Sequence, residues 1–191
     1  MVHRVVLALT LAAVAAPCGA QVPVPDTGVV ARFMRRLGWV ALFGAWAKQR
    51  DVDPLTDSVK ANLYVTIGLN PDLSGVDLRG GGFAEFGISC DDSPQRFLFV
   101  FSDSTSHFEK AHVWVRYRVD DRPASEWAQW EGQASGPMIT AMGLGAEYSR
   151  LLSAMLAGSR KLVVRVRAAR AERDHFFLLD GFASAYRDCG R

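Results

Sequence analysis

The chain has 191 residues, 22 of them Lys or Arg and 20 Asp or Glu, for a formal net charge of +2. A balance this even predicts, by charge alone, no surface built to hold nucleic acid. The length suits one ordinary domain, and with 49% hydrophobic residues the chain can build a real core.

Residues 1–20 read MVHRVVLALTLAAVAAPCGA. His3 and Arg4 make a short basic start, residues 5–16 an apolar run, and Cys18-Gly19-Ala20 the small residues a signal peptidase requires. The run is well short of the roughly twenty residues that a bilayer span needs. These features predict a secretory signal peptide over 1–20 and a periplasmic or secreted address. Pro17 before Cys18 disfavours lipidation. Cys18 leaves with the leader, so Cys90 and Cys189 remain as an even pair in an oxidising compartment, which predicts a disulfide between them.

Residues 21–27, with two prolines, read as an extended linker. The segment 28–45 follows as an apolar helical stretch. Val30, Phe33, Met34, Leu37 and Ala41 fall at helical spacing, and Arg32, Arg35 and Arg36 lie off that stripe. Asp26 or Thr27 is placed to cap it. Such a helix packs on the domain or, through 29–47, lies on a membrane surface. Trp39, Phe43 and Trp46 favour packing, because they are costly to leave in water.

Residues 46–191 read as a β-rich domain. The stretch 53–57, DPLTD, is a turn. Leu63, Val65 and Ile67 alternate with Tyr64 and Thr66, as in a half-buried strand. The next runs, 83–90 and 95–102, flank the hairpin residues Asp91-Asp92-Ser93-Pro94. Apolar residues on both faces of the second run mark a central strand. In the cleanest strand, 112–120, Val113, Val115, Tyr117 and Val119 point one way, and Trp114, Arg116, Arg118 and Asp120 the other. Short strands at 127–131 and 137–142, a helix at 147–157, strands at 162–168 and 175–179 and a helix at 182–188 complete the reading. The predicted class is mainly β, an antiparallel β-sandwich or open barrel with one or two short helices, preceded by an N-terminal helix.

No catalytic residue, metal site or cofactor is expected. His107 and His112 flank Glu109, near Asp103, but the spacing matches no recurrent metal pattern. Ser102, Ser104 and Ser106 beside His107 lack a glycine-framed elbow. The glycines at 80–82 precede a strand and form no phosphate loop. The arginines are the remaining candidates. Arg116 and Arg118 share a strand face, and Arg165 and Arg167 share another. If these strands are neighbours, a partly buried arginine there needs a partner, with Asp120, Asp57 and Asp180 available. The set Arg116, Arg118, Asp120, Arg165 and Asp57 is therefore a structural ion pair or a basic face for an acidic polymer or a partner protein.

Several segments occur in a recognisable order. Trp46 is followed by DPLTD (53–57), a strand ending in Cys90, VRYRVDDRP (115–123) with Trp127, RKLVVRV (160–166), and FFLLDGF (176–182) leading to Cys189. This order resembles the periplasmic accessory family linked to type VI secretion, VasI or TagO, over about 46–189. The resemblance implies a periplasmic, non-enzymatic interaction protein whose partner belongs to the envelope or to a secretion machine. It brings no catalytic residues. The sequence departs from the family in its longer apolar stretch before the domain and in a more charged linker, ARAERD, before the last strand. Two other functions compete: a binder of a small apolar or lipid ligand between the sheets, suggested by the many Phe and Trp, and an envelope hydrolase acting through His107.

Overall fold

The computed structural model describes residues 27–37, 39–52, 55, 59–78, 84–90, 98–103, 113–135, 138–168 and 171–189. The leader, most of the linker, Asp57, the glycine run and the His107, Glu109 and His112 group lie outside the described residues. The elements in order are α1 (Thr27–Arg36), β1 (Val40–Phe43), β2 (Trp46–Val52), β3 (Val59–Ile67), β4 (Glu85–Ser89), β5 (Leu98–Asp103), β6 (Val113–Val119), β7 (Ala128–Ser135), β8 (Met138–Gly143), α2 (Gly145–Leu156), β9 (Lys161–Ala168), β10 (Ala171–Leu178) and α3 (Phe182–Cys189).

Every strand pairing is antiparallel, in the order β1-β2-β3-β4-β5-β8-β7-β6-β9-β10. Strand β7 divides this order. Its residues 128–130 pair with β6, and its residues 131–135 with β8. Two sheets result, and a bridge between Leu69, just past β3, and Phe176 on β10 ties them together again. The fold is thus mainly β and sandwich-like, as the turn spacing predicts.

The core lies between the sheets and under α3. Trp46, Tyr64, Phe86, Phe177 and Phe182 are fully buried. The Trp46 and Phe182 rings sit 4.8 Å apart, and those of Phe86 and Phe177, on opposite sheets, 5.5 Å apart. The Trp46 indole donates to the Leu178 carbonyl at 3.2 Å, so its one polar atom is satisfied. Burying each such ring contributes about 2–3 kcal/mol.

Three local expectations are corrected. The segment 28–45 is helical only to Arg36, and Val40–Phe43 is an edge strand on β2. The Trp39 N–H closes the helix on the Met34 carbonyl at 2.9 Å, and ladder bonds to β2 then decide the residues that follow. Val30 and Met34, the centre of the apolar stripe, are fully buried against the domain, while Arg35 and Arg36 are exposed. Strand β3 is not half-buried: Tyr64 and Thr66 are as inaccessible as Val65 and Ile67, because β3 runs between β2 and β4 with α3 packed against it. The charged ARAERD segment is no linker in its second half, since β10 begins at Ala171. Its acids find cross-strand partners, which makes the charge compatible with a ladder.

Candidate functional site

Strands β6, β9 and β10 present one alternating face to the core and the other outward. Val113, Val115, Val119, Leu162, Val164 and Val166 are buried inward. Register then fixes the outer face. Trp114 lies opposite Arg167, which lies opposite Glu172. Arg116 lies opposite Arg165, which lies opposite Asp174, and Arg118 opposite Val163, which faces Phe176. The sequence-predicted residues Arg116, Arg118 and Arg165 are therefore brought together.

The stretch after β6 folds back to complete the face. The Ser125 N–H donates to the Tyr117 carbonyl at 2.8 Å, and the Tyr117 N–H to the Ser125 hydroxyl at 2.9 Å. This holds Trp127 over the arginines. Its ring centroid lies 4.3 Å from the Arg167 guanidinium and 5.6 Å from that of Arg116. Trp114 lies 6.0 Å from Arg167 on the same face. Such contacts are worth about 0.5–1 kcal/mol each at exposed sites.

Arg165 grips Asp174 with two hydrogen bonds, from Nε at 2.5 Å and from Nη2 at 2.7 Å. These bonds hold the Asp174 carboxyl below the usual carboxylate range, and the nearby charges of His175 and Arg118 act in the same direction. Arg116 donates from Nε to the Ser125 carbonyl at 3.2 Å. Arg118 is exposed and makes no hydrogen bond or ion pair among the described residues. A groove of about 270 Å³ opens between these side chains, with Val163 and Phe176 contributing apolar lining.

Asp120 has a different task from the one its sequence position suggests. At φ +51° it sits in the left-handed region, which Asp tolerates better than most residues. Its carboxylate accepts the backbone N–H groups of Arg160 and Lys161 at 2.9 and 2.8 Å, joining the end of β6 to the start of β9. Asp180 lies exposed in the turn before α3. The acid that meets the arginines is Asp174, which sequence reasoning missed. Its signal was the alternation of Glu172 and Asp174, legible once the segment is read as a strand.

A second cluster anchors α3. Cys189 is bonded to Cys90, just past the end of β4, with the Cα atoms 5.2 Å apart. Beside it, Asp188 accepts hydrogen bonds from the Tyr64 hydroxyl and, at 3.3 Å, from Lys48 Nζ. Burial raises the Tyr64 phenol above its ordinary range, and Lys48 is raised first by its hydrogen bond to Tyr64. With Tyr64 fully buried, this cluster serves to fasten the helix. Among the described residues no group of three His, Cys, Asp or Glu side chains is gathered as a metal site.

Fold and site together define a disulfide-closed, sandwich-like β-domain with an arginine- and tryptophan-bearing outer sheet face. Compared with known protein families, curated proteins and solved structures, the chain matches none.

Proposed function

We propose that the chain is an exported periplasmic accessory protein that works by binding a partner, not by catalysis, and that it does so through the outer face of β6, β9 and β10. The observation that carries this reading is the composition of that face. Guanidiniums and indoles, the groups most often central to protein interfaces, stand together there and are held in place by neighbours. The leader-like residues 1–20 and the Cys90–Cys189 bond support an oxidising address. The motif order resembling the VasI or TagO family supports an envelope or secretion-machine partner, in the setting of type VI secretion. A small apolar or lipid ligand between the sheets has less support, because Trp46, Phe86, Phe177 and Phe182 pack on one another.

The test is capture from periplasmic extract with the tagged full chain and with Arg118→Glu. The wild type should enrich an envelope or secretion-machine protein that the variant loses, with melting temperature unchanged. Absence of any such protein, or capture indifferent to the substitution, refutes the reading.

A further inference from the structure

We infer that the groove on this face receives an extended acidic peptide segment, with its carboxylates held by Arg116 and Arg118. The inference rests on the interaction reading above and names the chemistry of the partner.

Charge complementarity favours an acidic ligand. Arg116, Arg118 and Arg165 line the groove against the carboxylate of Asp174. Arg116 and Arg165 stand directly opposite each other across β6 and β9, an arrangement that repels. Asp174 engages only Arg165 by hydrogen bonds. Arg116 uses Nε on the Ser125 carbonyl and makes no other hydrogen bond among the described residues, and Arg118 makes none. Arg116 thus keeps its two terminal nitrogens, and Arg118 its whole guanidinium, without hydrogen bonds among the described residues, and a fork matches a carboxylate in two parallel bonds.

The spacing of the arginines matches that of an extended chain. Arg116 and Arg118 are two positions apart on one strand, so they share a face at a separation of about 6.8 Å. Acidic residues two apart on an extended peptide repeat at that same interval. Val163 and Phe176 supply apolar surface for the methylene stems of such side chains. The aromatic rings argue against a sugar polymer. Arg116 and Arg167 both lie over Trp127, covering ring surface on which a sugar would stack.

The experiment is calorimetric titration of the disulfide-intact protein at low salt. The probe is a blocked synthetic peptide of sequence glycine-glutamate-valine-glutamate-glycine, with its glutamine counterpart and a sulfated dextran as comparisons. The glutamate peptide should bind and the glutamine peptide should not. Arg118→Ala and Arg116→Ala should each weaken binding about tenfold. Arg118→Lys should also weaken it, because an ammonium cannot present the fork. Arg150→Ala, on α2, should leave it unchanged. Equal binding of the glutamine peptide, indifference to both groove substitutions, or binding of the dextran alone overturns the inference. If neither probe binds while partner capture still depends on Arg118, the acidic-peptide assignment fails and the interaction reading stands. Loss of both overturns both.

Discussion

The carbonyl oxygen of Phe43, at the end of β1, occupies the space that a β-carbon at position 181 would need. Gly181 also has φ +83°, a conformation that L side chains rarely adopt. The contact is one half of an interlock. In the other half, a β-carbon at Gly44 would strike the Asp180 carboxylate, and the Ala45 N–H donates to the Asp180 carbonyl at 3.1 Å. The β1–β2 turn and the turn before α3 therefore fit only as two glycines. Gly181→Ala combines backbone strain with a backbone clash, and it should cost about 3 kcal/mol or more in urea denaturation. A loss below about 1 kcal/mol would show that the turns can move apart.

Asp174 and Arg165 contribute unequally to stability, although they form one pair. Removing Asp174 leaves Arg116, Arg118 and Arg165 facing one another, whereas removing Arg165 relieves part of that repulsion. Asp174→Asn should therefore destabilise by about 1 kcal/mol, and Arg165→Met by less, since both side chains are partly solvent-screened. Added salt should narrow the difference. Equal losses at low and high salt would remove like-charge repulsion from the account.

The Cys90–Cys189 bond closes a loop with a sequence separation of 99. In the chain-entropy treatment such a closure stabilises by about 4–5 kcal/mol. Replacing both cysteines by serine should lower the unfolding free energy by about 4 kcal/mol. Adding Tyr64→Phe, which removes the hydroxyl bond to Asp188, should cost about 1 kcal/mol more. Alkylation of the unreduced wild-type domain should label neither Cys90 nor Cys189. An unfolding midpoint that does not shift on reduction would contradict this account.

Features set by period and composition were legible in the sequence, and features set by register were not. Strand β6 could be read residue by residue, because alternation alone assigns Val113 and Val115 inward and Arg116 and Arg118 outward. The cysteine pair followed from counting. The partner of Arg165 did not, since it depends on a hairpin register that places Asp174 directly across from it. Asp120 is closer in sequence to Arg118, but backbone N–H groups claim its carboxylate. The cluster of Lys48, Tyr64 and Asp188 spans separations of 140 and 124 residues and leaves no local trace. Residues 40–43 are apolar nearly all round, so no periodicity separates helix from strand there, and pairing with β2 decides them.

Glu85 makes stability depend on pH with a definite sign. It lies at the start of β4, opposite Ile67 on β3 and Phe101 on β5. Burial pushes its carboxyl from 4.5 up to about 7. The folded chain then holds a proton that the unfolded chain releases above 4.5, so the folded state binds more protons between 4.5 and about 7. Stability contributed by this group is full below 4.5 and falls as pH rises through about 7, by at most about 3 kcal/mol. Asp174, with its lowered carboxyl, acts in the opposite sense at more acid pH: its contribution is present above the ordinary Asp range and is lost as pH falls through its folded value. Glu85→Gln keeps the shape and removes the charge. The variant should match the parent near pH 4 and exceed it near pH 8 by about 3 kcal/mol, as read from urea midpoints at both values. Identical pH profiles for parent and variant would assign the dependence to another group.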